Sequence, residues 1–552
     1  MGDGPTGISA LRNRPYEVLL GALMLASAAL LIHYRSDLNF MLDDWAFVIY
    51  REDGGLGDFL DPHNEHISIL PVAIFKLFLS VFGMGSAMPL QILSVAAFLL
   101  SVFVLFVYLK SLVAEPAALI GCAVILFLGA AWEDLLWAFQ IGFSISMAAG
   151  IGALVMLRRQ DSFGDRIACL LLVISMISTS LGIPFAIGAG VMLLLQRENL
   201  IRRLYVTVVP VCVYGLWYLG WGHTAESALS FDNALHAPEY IARSFSLTAT
   251  EVTGLSKVLS STEVIPSLLV GLLALVAVAW GVRQREGIPR PLLVAAAIAL
   301  AFWGLAALNL APGRGFEASR YQFPNAVFLL MILAGAFEGA RPRARLLAVL
   351  GLIALAAIAV NIDAMRSGYW NVLKPLSDKG IAGLTAVEIA RGTVNPGLAI
   401  GMNLDDTAYV TAGDYFEAEE KYGSPAWSES EIEKSSGLAR SRVDQILVAA
   451  LPVSGIPLPA GLASGSCEVV RAGSPGSAQN IRLPAQTFTF RPQRQVFLAV
   501  GRYADGAATG AALAEPGVET LVHVPDDSSE EPWRIAFLGS GKVRVCGTVK
   551  EK

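Results

Sequence analysis

Residues Ile67-Ser68-Ile69-Leu70-Pro71-Val72-Ala73-Ile74-Phe75-Lys76-Leu77-Phe78-Leu79-Ser80-Val81-Phe82-Gly83 form the stretch on which the topology of the chain turns. The run is apolar but interrupted by Pro71 and Lys76, and a helix that crosses a bilayer needs about 20 consecutive apolar residues. Cytoplasmic loops carry an excess of Lys and Arg, so the basic clusters arbitrate. If 66–83 lies in the interface, or dips in and returns, then Arg12/Arg14, Lys110, Arg158/Arg159/Arg166, Arg197/Arg202/Arg203, Arg283/Arg285/Arg290 and Arg341/Arg343/Arg345 share one side. If it crosses fully, most of them move outside. The first arrangement is adopted here.

The composition demands a membrane reading in any case. Of 552 residues, 55% are hydrophobic and 16% charged, whereas soluble domains are about a quarter charged. The formal net charge of -6 decides little, because the charges are segregated by segment. The expected spans are 15–34, 89–110, 115–131, 138–157, 166–181, 183–196, 203–222, 264–282, 290–310, 321–339 and 344–362, about eleven in all. Segment 166–196 reads as a hairpin with short limbs, broken around Ser178-Thr179-Ser180-Leu181-Gly182-Ile183-Pro184, where Gly and Pro end a helix. The N-terminal run reads as a retained first helix that starts inside, with no small-residue cleavage site of a signal peptide.

This parity turns 35–65, the Trp132–Trp137 turn, 223–263, 311–320 and everything after about Asp363 outward. Three regions follow: 1–362, a transmembrane domain; 363–464, a mostly helical outer segment; and 465–552, a β-rich outer domain. In the last, short runs such as Gln495–Val500 and Lys542–Cys546 alternate with turn residues such as Gly473-Ser474-Pro475-Gly476, the pattern of a small β-sandwich. Of the five cysteines, Cys122, Cys169 and Cys212 lie in apolar runs as small hydrophobes. Cys467 and Cys546 sit near the first and last strands of the β region, either bonded, as an oxidising compartment permits, or reduced.

Carboxylates and imidazoles at a membrane boundary are costly unless they face water, a partner or a substrate. The first outer loop carries Asp43, Asp44, Asp61 and Glu65 with His63 and His66. Asp43 and Asp44 read either as a general base with an orienting neighbour or as a solvated turn beside the interfacial anchor Trp45. His63 and His66, three apart on an expected helix, share a face. They bind phosphate when protonated or, with Asp43 or Asp44, a divalent ion, His66 being the imidazole put forward for it. The plainer alternative is a helix start capped by Asp61 with Pro62 at its first position. Trp132, Glu133 and Asp134 offer an aromatic face and carboxylates to a sugar, against ordinary belt chemistry. Arg314, Arg320 and Tyr321, at the outer mouth of a late span, defy the inward bias. Arginine matches phosphate oxygens, and the plainer reading pairs both with Glu317 at the surface.

Together these features resemble the GT-C class of polyprenyl-phosphate-sugar glycosyltransferases, which includes protein O-mannosyltransferases and aminoarabinose transferases. The resemblance rests on the multi-span core, Asp43-Asp44 soon after the first span, the acidic Glu133-Asp134 turn, Arg320-Tyr321 ahead of a late span and the outer C-terminal domain. It implies an aspartate of the first outer loop as catalytic base, Asp44 ahead of Asp43, and a basic residue such as Arg320 on the lipid phosphate. It leaves His63, Glu65 and His66 without a shared role, and metal dependence varies within the class. The implied reaction moves a sugar, with inversion, from a polyprenyl-phosphate donor to a hydroxyl on a glycan, lipid or protein acceptor.

Two other classes compete. A ligase or polymerase of lipid-linked glycans shares the outward arginines but needs no first-loop aspartate pair. A transporter or flippase of lipid-linked sugars predicts charges at mid-membrane depth and a two-half repeat, and neither is present in the sequence. The expected setting is a bacterial plasma membrane, multi-pass, with the N-terminus cytoplasmic and the C-terminal domain outside. The expected partners are the donor, the acceptor and the bilayer, with no nucleic acid.

Overall fold

A computed structural model describes residues 14–51, 55–225, 227–257, 264–402, 409–451, 453–459, 463–474, 477–506 and 509–549. Arg12, Pro475, Gly476 and part of the 223–263 loop lie outside them. The chain forms two compact units. The first comprises Met1–Asp37, Arg51–Phe78 and Met88–Leu373; the second comprises Leu38–Tyr50, Leu79–Ala87 and Lys374–Lys552.

All eleven expected spans of the first unit fall on helix, but fewer of them stand alone. Among the described residues six helices are long and apolar enough to cross a membrane: Pro15–Arg35, Met88–Lys110, Ala138–Leu157, Ile265–Arg283, Arg290–Leu308 and the apolar part of Ala344–Ile389. Glu115–Leu126 and Gly129–Leu136, bent by 43°, count as a seventh if taken as one broken span. Gly182–Gln196 and Tyr205–Gly220 are shorter apolar helices, and so is Ile69–Phe82. The 14 residues of Ile69–Phe82 span roughly 21 Å at 1.5 Å per residue, short of a hydrocarbon core of about 30 Å. Its interrupting Lys76 is paired with Asp58 at 2.6 Å, which satisfies the charge. The expected hairpin break is observed. Ser162–Ser178 ends at Thr179 in extended backbone, and the next helix starts at Gly182.

Aromatic contacts between helices fill the core of this unit. Phe98 meets Phe323 with centroids 5.4 Å apart, and Phe328 meets both Phe185 and Phe302. Buried polar fasteners join the elements, because buried donors and acceptors must be paired. Arg203 forms a two-pronged pair with Asp165, both bonds 2.8 Å. Asn361 accepts from the Ala130 N–H at 3.1 Å and donates to the Glu251 carbonyl at 3.0 Å.

The loop before Ile69 departs from the expected helical cap. His63 and His66 exchange both backbone hydrogen bonds, each at 3.0 Å, which closes a tight reverse turn. Asn64 sits inside it at φ +53°, a left-handed conformation that Asn tolerates. Asp61 ends the preceding Leu56–Leu60 helix rather than starting a new one. The Arg51 guanidinium donates to the carbonyls of Asp58, Asp61 and Pro62, and Trp217 Nε1 donates to the Leu60 carbonyl. An interlocked loop results.

In the second unit, helices Lys374–Ile389, Ala412–Tyr422, Glu429–Lys434 and Gly437–Ala450 are joined by an unforeseen hairpin of β1 (Ala399–Gly401) and β2 (Tyr409–Thr411). The β region begins at β3 (Ser454–Leu458), earlier than expected, and continues through β4 (Ala463–Arg471), β5 (Ile481–Arg482), β6 (Thr487–Pro492), β7 (Val496–Gly501), β8 (Thr509–Ala514), β9 (Glu519–His523), β10 (Arg534–Gly539) and β11 (Lys542–Val549). The strands form sheets ordered β5-β10-β7-β8 and β3-β9-β6-β11-β4. Phe490 of one sheet lies 4.9 Å, centroid to centroid, from Phe537 of the other, as in a sandwich. Cys467 and Cys546 face each other in the β4–β11 register and form a disulfide. Asp444 ties helix to sheet: its carboxylate accepts from the backbone N–H groups of Arg502, Tyr503 and Ala504 at 2.9–3.0 Å.

Candidate functional site

Four separate stretches of the first unit bring their polar residues together. Arg314 pairs with Glu65 of the His63–His66 turn. Arg320 pairs with Glu133: its Nη1 lies 3.7 Å from Oε2, and its backbone N–H donates to the same oxygen at 3.1 Å. Ser319 locks the two loops by accepting from the Glu133 N–H at 3.1 Å and donating to the Ala130 carbonyl at 2.8 Å. The Arg320 guanidinium also donates to the Gly313 carbonyl, beside Arg314. Both arginines therefore have carboxylate partners, but not Glu317: the partners come from distant loops. The pairs keep 14–30% of their side-chain surface open, so a competing anion reaches the guanidinium groups without unfolding anything.

His66 adds a neutral ring. Its Nδ1 lies 3.0 Å from the Ser180 hydroxyl, at the helix break. Burial, and then the nearby His63 and Arg320, lower its pKa to about 4, so near neutral pH it exchanges hydrogen bonds rather than attracting phosphate by charge. His63 packs edge-on to Phe139 with centroids 5.1 Å apart, and Phe139 stacks on Trp137. Trp132 lies against Gly368, where a Cβ would sit 2.3 Å from the indole. Tyr321 meets Phe302 edge-on under the Arg320 guanidinium.

Asp134 is 1% exposed, and neither carboxylate oxygen has a hydrogen-bond partner among the described residues. A buried polar group without a partner is costly, so this position calls for a ligand group or a proton. Sequence reading missed its neighbour Arg35. Fully buried, Arg35 donates to the Leu135 carbonyl through Nε and Nη2 at 2.9 and 2.7 Å, and to the Gln91 carbonyl at 3.1 Å. It thereby caps the carbonyl end of the Trp132–Leu136 helix, where a cation is favoured. An arginine closing the first apolar run was the available signal. Ser180, Ser319 and Gln91 carried none, since their roles depend on residues far along the chain.

Asp43 and Asp44 belong to the second unit. Asp44 is 3% exposed, and its Oδ2 accepts from the Met41 N–H at 3.0 Å, closing a turn with Leu42 at φ +48°. Asp43 is half-buried. Trp45, 2% exposed, packs edge-on against Phe40 and Tyr415, a core residue rather than the interfacial anchor of the plainer alternative. Among the described residues no group of three or more His, Cys, Asp or Glu side chains is gathered to hold a metal ion. Of the suggested metal candidates, Asp43 and Asp44 lie in the second unit and His66 in the first.

Comparison with known proteins finds no matching family model, no similar curated protein and no similar solved structure.

Proposed function

We propose that the chain is a membrane glycosyltransferase of the GT-C kind, with about eleven spans, acting on the outer face of a bacterial plasma membrane. It moves a sugar from a polyprenyl-phosphate donor to a hydroxyl of a glycan, lipid or protein. The supporting observation is the pairing of two arginines from one short loop with carboxylates 249 and 187 residues away. Arg314 and Arg320 exchange Glu65 and Glu133 for the donor phosphate, and a guanidinium fork suits phosphate oxygens. The acceptor oxygen attacks the anomeric carbon as the bond from that carbon to the phosphate oxygen breaks. The lipid phosphate leaves with the electron pair, stabilised by the arginines. The acceptor proton passes to a carboxylate, and attack opposite the leaving group inverts the anomeric centre. Asp134, Trp132, Tyr321, His63 and His66 then serve the sugar and its hydroxyls.

The carboxylates to be compared as base are Glu133, within the cluster, and Asp43 and Asp44, on their own stretch. A donor carrying a diphosphate, as a glycan ligase uses, fits two arginines equally and defines the second reading. The test is transfer from radiolabelled polyprenyl-phosphate and polyprenyl-diphosphate sugars to membrane extract by the purified full chain. Wild type runs beside Arg314→Gln, Arg320→Gln, Glu133→Gln, Asp43→Asn and Asp44→Asn. Transfer by wild type, lost in folded Arg320→Gln, supports the reading. Transfer undiminished in both Arg320→Gln and Arg314→Gln removes the phosphate role, and transfer from the diphosphate donor alone selects the ligase.

A further inference from the structure

The first unit contains a second cluster of arginines. An open cavity of about 720 Å3 is lined by Arg158, Arg285 and Arg290, with Gln160, Gln196, Glu286 and Glu338 also in its polar part. Its apolar wall comes from Met192, Leu195 and Val294. The cavity lies at the Tyr108 end of Met88–Lys110, the Gln196 end of Gly182–Gln196 and the Arg290 end of Arg290–Leu308. The Arg314–Arg320 cluster lies by the other ends: Gln91 holds Arg35, Ser180 precedes Gly182, and Arg314 follows Leu308. Nineteen residues of Arg290–Leu308 put roughly 28 Å between the two ends at 1.5 Å per residue. The cavity is therefore separate from the proposed catalytic cluster.

Charge and wetness point to its occupant. Three arginines face two acids, Glu286 and Glu338, across the lining. Arg158, Arg285 and Arg290 are all exposed. Among the described residues the guanidinium groups of Arg285 and Arg290 hold no ion pair or hydrogen bond. The apolar wall, by contrast, includes Val294 at 4% exposure, while Leu194 and Leu293, each one residue in sequence from a wall residue, are exposed at 57% and 37%. A phosphate at the rim with hydrocarbon along the wall matches both features, and a free anion matches only the first. Basic pockets between spans hold anionic lipid headgroups in this manner.

We propose that this cavity binds the phosphate of an anionic phospholipid, with Arg285 and Arg290 as its main contacts. The ligand chemistry is a phosphodiester, and the membrane is its source. The test uses the purified full chain and native mass spectrometry of bound lipid, with phosphatidylglycerol and phosphatidylcholine in competition. Inorganic phosphate is added in a separate arm. Wild type retains phosphatidylglycerol with a roughly thirtyfold preference, since two arginines at about 1 kcal/mol each give about 2 kcal/mol. The Arg285→Gln/Arg290→Gln double variant loses that preference while the lipid-independent melting temperature stays unchanged. Arg345→Gln, an exposed arginine outside the cavity, keeps it. Equal retention of both lipids by wild type, or an unchanged preference in the double variant, overturns the proposal. Displacement of the lipid by millimolar inorganic phosphate would also overturn it, by showing a free-anion site.

Discussion

Arg320 meets Glu133 twice, through its backbone N–H at 3.1 Å and through its guanidinium at 3.7 Å from the same Oε2. The backbone bond does not pass through the side chain, so a substitution such as Arg320→Gln leaves it in place to hold the loop. This makes the proposed phosphate role of the guanidinium testable without removing the loop's backbone anchor.

Arg320→Gln is expected to lower kcat/KM for a polyprenyl-phosphate donor by about a hundredfold, the usual cost of removing one charge-stabilising donor. Arg320→Lys keeps the charge but not the fork and is expected to fall between the two. Initial rates over a donor series, with melting temperature as the control for folding, measure this. Rates within twofold of wild type for both variants reject the role.

Gly129 is required by close approach. A Cβ there would lie 1.6 Å from the Asn361 carbonyl oxygen and 2.5 Å from the Met365 nitrogen. Gly129→Ala is expected to destabilise by about 3 kcal/mol or more, as overpacking against backbone does. Gly21→Ala, with nothing within 4 Å of its Cβ, is the matched neutral control. Fluorescence-detected chromatography after graded heating compares the two.

Asp444 holds three backbone donors in a site 2% exposed. Asp444→Ala is expected to cost about 3 kcal/mol, because buried donors lose their partner. Hydrogen exchange at amides 502–504 should rise selectively, while the Arg502–Asp527 pair at 2.9 Å keeps its surroundings ordered. Unchanged protection at those amides counts against the assigned role.

His66 makes stability depend on pH in one direction. Its pKa in the folded protein, about 4, lies below the ordinary 6.5, so the folded form binds the proton less readily than the unfolded chain. The stabilisation is complete above pH about 6.5 and is lost as pH falls toward 4. Melting temperature should therefore drop across that window in wild type and drop less in His66→Gln. Parallel curves for the two proteins would show that another group carries the effect.

The sequence by itself determined the features that local forces control. Long apolar runs demand helices in any fold, because unpaired backbone cannot be left in hydrocarbon. The break expected around Ser178–Pro184 falls at Thr179–Leu181, with Gly182 and Pro184 in the first turn of the next helix, and the β-rich runs after 465 make strands. Even the β4–β11 cysteine pair lay at the ends its strand pattern suggested, although its oxidation did not follow from that pattern.

The partners were decided by the tertiary structure. Arg314 and Arg320 were legible as exceptions to the charge bias, but the plainer alternative that paired both with nearby Glu317 does not hold, since their carboxylate partners are the distant Glu65 and Glu133. His63 and His66 read as a helical pair because three-residue spacing fits a helix, but a left-handed Asn64 folds them into a turn. Lys76 and Arg35 looked like interruptions or ends of apolar runs, and each is satisfied by groups brought from elsewhere. Asp43-Asp44-Trp45 read either as a general base with its neighbour or as a solvated turn beside an interfacial anchor, and the structure buries Asp44 and Trp45 against Met41, Phe40 and Tyr415. In each case the energy of a charge or ring depends on neighbours assembled by the whole fold, and no local spacing carries that information.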